Sequence, residues 1–223
     1  MVRSIFLRTP NSGLQTNMVK VKICGITNKE DALKAAYYGA WAVGFVFHQK
    51  SPRYISPSRA RKIIEELPPF VTPVGVFVNQ NERAVRDVCR FARISTIQLH
   101  GDETPLYCTR FRDYKVIKAF RVKDGKSIEG IKAFSGIGFV LLDAFKEGEY
   151  GGTGSSFNWN LADKVGLIRA PVFLSGGLNP DNVKEAIQKF KPFCVDVSSG
   201  VEKEPGIKDK GLVTRFIQNV KSA

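Results

Sequence analysis

Histidine is scarce in this chain: among 223 residues only His48 and His100 occur. A histidine-rich metal site is thereby excluded. The four cysteines, Cys24, Cys89, Cys108 and Cys194, lie far apart and form no CxxC pair. That argues against a zinc site and against a disulfide framework, and it sets a reducing cytoplasm as the expected compartment. No run approaches the ~18 uninterrupted apolar residues of a membrane-spanning helix, so no membrane partner is expected. Acids are in deficit: 21 Asp and Glu stand against 34 Lys and Arg, a formal net charge of +13. The basic residues are spread along the chain without a block of five or six like charges, and no nucleic-acid-binding signature accompanies them. The charge reads as a solvated basic surface suited to anionic small molecules, with no nucleic-acid partner.

Residues 1–17 contain Arg3 and Arg8, several hydroxyl and amide side chains, and no acid. Their apolar run, Ile5-Phe6-Leu7, is too short for a signal-peptide core. The composition is compatible with a transit peptide. The preferred reading is a disordered leader or a start codon placed too early, because Met18 directly precedes the first strand.

From residue 18 to 223 the chain alternates strand and helix about eight times, with no internal linker. Val19–Cys24 reads as the first strand. Asn28 offers an N-cap for a helix ended by Gly39. Trp41–Phe47 is the second strand, and Ser56-Pro57 opens the second helix. Val74–Val78, Thr96–Leu99, Val116–Phe120, Gly138–Leu142, Val172–Leu174 and Phe193–Val197 complete the strands. Helices are expected at 81–91, 104–111, 127–134, around 158–165, at 179–190 with Pro180 in the first position, and at 208–220. A glycine-rich loop runs from Gly148 to Ser156. The strands are short and apolar on both faces, as in parallel strands covered by helices. Eight such units in about 200 residues make a single (β/α)8 barrel the leading α/β fold. An open doubly wound sheet is the alternative, weakened because no GxGxxG follows the first strand.

In such a barrel the residues at the strand C-termini share one rim. That would gather Cys24, the segment from Phe47 to Arg53, Gln98-Leu99-His100, Asp143, Ser175-Gly176-Gly177 and Asp196 to Gly200. Two glycine- and serine-bearing strand ends in succession, the seventh and eighth, suit a phosphate. Taken alone, Cys24 could be a small buried apolar residue. Followed by Gly25 and an incoming helix, it could instead ionise more readily. Asp143 could cap a turn or supply a proton. Arg53, behind Pro52, could be a solvated loop residue or a carboxylate grip. His100 could be a satisfied rim histidine.

The ordered set Lys22-Ile23-Cys24-Gly25-Ile26-Thr27, Gly44-Phe45-Val46-Phe47, Ser51-Pro52-Arg53-Tyr54, Val74-Gly75-Val76-Phe77-Val78-Asn79, Ile97-Gln98-Leu99-His100-Gly101, Leu141-Leu142-Asp143, Gly151-Gly152-Thr153-Gly154, Leu174-Ser175-Gly176-Gly177-Leu178 and Asp196-Val197-Ser198-Ser199-Gly200-Val201-Glu202 resembles the phosphoribosylanthranilate isomerases of tryptophan biosynthesis. The resemblance implies an Amadori rearrangement without metal or organic cofactor. It implies Asp143 as general acid and Cys24 as general base. Arg53, Gln98 and His100 would bind substrate, and Gly176, Gly177, Asp196, Ser198, Ser199 and Gly200 would form the phosphate site. The implied partner is a small phosphoribosyl substrate, and the expected assembly a monomer or homodimer. Sister barrels fit less well. The histidine-pathway isomerase uses a carboxylate where this chain has Cys24. Indole-glycerol phosphate synthase resembles a longer barrel with a catalytic lysine pattern not seen here. A basic barrel without catalysis is the non-enzyme alternative.

Overall fold

The first strand, β1 (Lys20–Cys24), hydrogen-bonds in parallel to both β2 (Ala42–Val46) and β8 (Cys194–Val197). That double pairing closes the sheet. In the computed structural model, which describes residues 18–134, 136–144, 161–166 and 168–223, β1 to β8 form a closed parallel barrel in chain order. The intervening strands are β3 (Thr72–Phe77), β4 (Thr96–Leu99), β5 (Lys115–Val122), β6 (Phe139–Ala144) and β7 (Val172–Leu174). The fold is thus the α/β barrel expected, and not the open sheet. The leader at 1–17, the glycine-rich loop at 148–156 and the start of the helix expected near 158 lie outside the described residues.

Local sequence explains most helix ends. Asn28 accepts a hydrogen bond from Asp31 N at 2.9 Å and starts α1 (Lys29–Tyr38); Gly39, at φ +108°, ends it. Ser56 caps α2 (Pro57–Ile64), Asn81 caps α3 (Glu82–Ala92) and Thr104 caps α4 (Pro105–Cys108). Asp124 and Ser127 make a reciprocal capping box on α5 (Gly125–Glu129). Each such cap stabilises by about 1 kcal/mol. The remaining helices are α6 (Ala162–Val165), α7 (Val183–Phe190) and α8 (Lys210–Lys221), the last capped by Asp209.

Three helix starts differ from expectation by two residues or more; α5 begins at Gly125 and not at 127, because Asp124 caps it. Pro180 does not open α7. The Asn179 side chain accepts from Asp181 N at 2.8 Å and Asn182 N at 3.2 Å, which spends those donors on a turn and delays the helix to Val183. The last helix begins two residues later than expected, because a short antiparallel pair, β9 (Glu202–Glu204) with β10 (Ile207–Lys208), precedes it.

The core has two shells. Between sheet and helices lie Ile23, Phe45, Phe77, Ile97, Leu142, Leu174 and Val195, which alternate outward along the strands. Inside the barrel Ala42, Val74, Ile117, Ala119, Leu141, Phe173 and Cys194 pack together, against Trp41 and Phe139. Cys24, Val46 and Val76 form a smaller interior group. Among the described residues no helix is long and apolar enough to cross a membrane.

Candidate active site

Strand alternation places the polar side chains. Moving two residues toward the C-terminus from an interior apolar position keeps the same face and reaches the rim. Leu141 thus leads to Asp143, Phe173 to Ser175, and Cys194 to Asp196 and then Ser198. On β1 the same step runs from Lys22 to Cys24. One cleft is lined by Cys24, His48, Arg53, Gln98, His100, Asp143, Ser175, Asp196 and Ser198, with Val46, Ser51, Val76 and Val78 filling between them. The cysteine, aspartate, arginine, glutamine and histidine singled out in the sequence therefore share one mouth.

Asp143 is 3% exposed and lies inside β6, one residue short of its end, because the strand runs further than the sequence pattern implied. Its Oδ1 accepts from Ala144 N at 3.0 Å, and its Oδ2 lies 3.1 Å from His100 Nε2. The Gln98 amide nitrogen stands 2.6 Å from His100 Nδ1. With the amide donating there, the imidazole carries its proton on Nε2 and donates it to Asp143. Gln98, His100 and Asp143 thus form one chain of hydrogen bonds across β4 and β6.

Cys24 is 8% exposed. Burial pushes its thiol up, and the Lys22 ammonium opposes that shift. The activation expected from a helix N-terminus is therefore not the main influence: burial leaves the thiol above its ordinary value overall, and Lys22 is the larger of the charges that oppose it. Lys22 is fully buried, and its Nζ donates to Asp196 Oδ1 at 2.8 Å. Burial opposes its charge too, but Asp196, with Cys24, raises its pKa overall.

That pairing corrects one expectation. The Asp196 carboxylate, grouped by sequence with the phosphate residues, faces into the barrel and is taken up by Lys22. A carboxylate would in any case repel a phosphate dianion. The other members of that group lie together. Gly176 and Gly177 follow β7 with φ of +91° and +67°, a region that favours glycine. Ser199 and Gly200 sit in a single 3₁₀ turn, Ser199–Val201, after β8. A Cβ on Gly200 would stand 1.9 Å from Leu178 O, so the two loops touch. Ser198 Oγ is buried with no hydrogen-bond partner among the described residues.

Arg53 is held more firmly than its loop position implied. Its Nε donates to Glu202 Oε1 at 2.9 Å and Nη2 donates to Oε2 at 2.7 Å. Lys208 Nζ donates to the same carboxylate at 2.7 Å and to Ser198 O at 3.2 Å. Burial pushes the Glu202 carboxyl up, but Arg53 and Lys208 outweigh it and leave it low. Burial pushes the Lys208 ammonium down.

Sequence reasoning gave no role to Lys22, Glu202 and Lys208, which hold the cleft-lining residues from behind. Lys22 carried a signal: a lysine two residues before Cys24 on a buried strand must share its face. Glu202 stood in the set of matching segments with no role attached and Lys208 carried no signal, because the β9–β10 pair that presents them was read as loop and helix.

Comparison with known proteins bears on the family of this barrel. Residues 21–219 match the family model for N-(5'-phosphoribosyl)anthranilate (PRA) isomerase. The chain is 51% identical over 206 residues to N-(5'-phosphoribosyl)anthranilate isomerase of Trichlorobacter lovleyi, covering 92% of this chain and all of that protein. It resembles the crystal structure of a phosphoribosyl anthranilate isomerase in complex with reduced 1-(o-carboxyphenylamino)-1-deoxyribulose 5-phosphate. Identity there is 45% and the TM-score 0.83, over 92% of this chain and 100% of that one. A similar likeness, at 43% identity and TM-score 0.83, again over 92% of this chain and all of that one, holds for monomers generated from the dimeric isomerase of Thermotoga maritima. With family model, close relatives and barrel in agreement over the same residues, the chain belongs to the N-(5'-phosphoribosyl)anthranilate isomerase family.

Proposed function

We propose that this chain converts N-(5'-phosphoribosyl)anthranilate to 1-(2-carboxyphenylamino)-1-deoxyribulose 5-phosphate with Asp143 as general acid and Cys24 as general base. The observation that carries the reading is the placement of a carboxyl group and a thiol on facing strands of one cleft, each with its own partner. Asp143 gives a proton to the ribose ring oxygen, the C1–O bond breaks, and the ring opens to an iminium at C1. Ala144 N–H and His100 Nε2–H then hold the carboxylate left behind. The Cys24 thiolate takes the proton from C2, which the iminium has acidified, and an enolamine forms. C1 then gains a proton and the C2 hydroxyl gives one up, leaving the ketone.

The phosphate is assigned to Gly176, Gly177, Ser198, Ser199 and Gly200, between the ends of β7 and β8. The Ser198 hydroxyl, without a partner among the described residues, and the touching loops support that assignment. Arg53 is assigned to the anthranilate carboxylate. Glu202 takes Nε and Nη2, leaving Nη1 as the donor for substrate. Every assigned group comes from one chain, so one chain carries a full site whether it stands alone or pairs as a homodimer. The compartment assigned to this biosynthetic step is the cytoplasm.

The test is loss of anthranilate fluorescence on mixing with freshly prepared N-(5'-phosphoribosyl)anthranilate. Asp143→Asn and Cys24→Ser should each lower turnover by about 10²–10⁴-fold. Binding of reduced 1-(o-carboxyphenylamino)-1-deoxyribulose 5-phosphate should survive in both. Near-full turnover in either variant would remove that residue from its role.

A further inference from the structure

We propose that Lys22 is a positioning residue for proton abstraction at Cys24, working against Asp196: the ammonium favours the thiolate, the carboxylate limits it, and together they set how much of Cys24 is ionised. The inference rests on the reading of Cys24 as the base.

A lysine with no exposed surface inside a barrel needs a reason. Stability does not supply one, since a buried ion pair replaced by apolar groups of like volume is often neutral or better. The placement does. Lys22 and Cys24 are two residues apart on β1 and share the interior face. Lys22 has three N–H donors, and the contact to Asp196 Oδ1 accounts for one.

The thiol needs such help. Desolvation alone would keep Cys24 protonated, as it does Cys89, Cys108 and Cys194, whose thiols burial raises. The charged groups around Cys24 come from four directions. Lys22 lies below on β1, and Asp196 beside it on β8. Lys208 lies on β10, bound to Glu202 and through it to Arg53. His48, His100 and Asp143 line the same mouth. Lys208 is committed to Glu202, and Asp143 faces His100. Lys22 is thus the cation placed to act on the sulfur, and Asp196 the anion that tempers it. In a low-dielectric interior such contacts act more strongly than at the surface. Their effect lies on the substrate side of the reaction: the thiolate takes the C2 proton and becomes a neutral thiol.

The two partners should act with opposite signs, which a purely structural ion pair would not do. The experiment follows alkylation by iodoacetamide across pH in the full chain, with mass spectrometry of the peptide that carries Cys24. Lys22→Met should slow alkylation at pH 7 by about tenfold and move its midpoint to higher pH. Asp196→Asn should speed it and move the midpoint down. Shifts in the same direction, or none, would overturn the proposal. Should Lys22→Met fail to fold because Asp196 is left unpaired, Lys22→Met/Asp196→Asn is compared with Asp196→Asn. The double variant should then react more slowly, and equal rates would overturn the proposal. Cys24→Ser turnover tests the base assignment separately, since the alkylation midpoint stands whether or not the thiol is the base.

Discussion

A Cβ placed on Gly44 would stand 2.7 Å from the sulfur of Cys24 and 3.2 Å from its Cα. Gly44 is the register partner of Cys24 across β1 and β2. The thiol therefore occupies space that any other residue on β2 would claim. Gly44→Ala must either turn the Cys24 side chain or spread two barrel strands. Turning the thiol by about 1 Å costs on the order of 10²-fold in turnover. Spreading the strands costs about 1–3 kcal/mol of stability. Steady-state fluorescence and a thermal melt on the same preparation should show a loss in at least one.

His100 connects Gln98 to Asp143, so His100→Ala removes a donor from Oδ2 and leaves Asp143 with Ala144 N as its donor among the described residues. A hydrogen bond to a charged group contributes about 1.5–3 kcal/mol, which corresponds to roughly 10–100-fold in rate. If Asp143 is the acid as proposed, the loss should fall on kcat, because the donor then acts on charge that develops as the ring opens. An effect confined to KM would place His100 among ground-state contacts with the sugar.

These pairs show what sequence carries and what it does not. Strand period and helix caps are local, so β1, β4, β7 and most helix starts could be read from residues such as Asn28 and Ser56. Cys24 and Asp143 were legible because strand ends in a barrel share one rim. Glu202 was not, since its meaning depends on Arg53, 149 positions away, and on a short β9–β10 pair with no apolar pattern. Asp196 was misread for a related reason: its neighbours in sequence are phosphate-loop residues, while its neighbour in space is Lys22. Pro180 misled because a proline suits a first helical turn, and the Asn179 side chain claims those backbone donors instead.

Ser198 offers a buried hydroxyl without a partner among the described residues. If it meets the phosphate, Ser198→Ala removes one hydrogen bond to a charged group from substrate, product and transition state alike. KM should rise roughly 10–100-fold with kcat near its original value. Thermal stabilisation by reduced 1-(o-carboxyphenylamino)-1-deoxyribulose 5-phosphate should shrink with it. Unchanged KM would move the phosphate away from this hydroxyl.

Residues 1–17 fall before the segment matched by the family, which begins at residue 21. We expect a chain starting at Met18 to fold and to turn over at the full rate. Circular dichroism and the fluorescence assay on the shortened chain check this. A drop in either would give the leader a role in the barrel.

Glu202 ties pH to stability. Its side chain is 4% exposed and receives Arg53 and Lys208 together. Burial raises its pKa, but the two cations lower it further than burial raises it, to below 4.5. A carboxyl whose folded pKa is depressed adds stability above its unfolded pKa and loses it as pH falls through the folded one. The native chain should therefore lose stability as pH drops below about 4.5, a window shared by other lowered carboxyls such as Asp113 and Asp124. Glu202→Gln keeps the shape and removes the charge. It should be less stable at pH 7, by about 3 kcal/mol, because the buried Lys208 and the half-buried Arg53 lose their anion. Its further loss between pH 5 and 3 should be shallower than that of the native chain, since one titrating group is gone. Urea midpoints of both proteins across that range give the comparison. Parallel pH curves would mean that the Glu202 carboxyl titrates alike in the folded and unfolded chains.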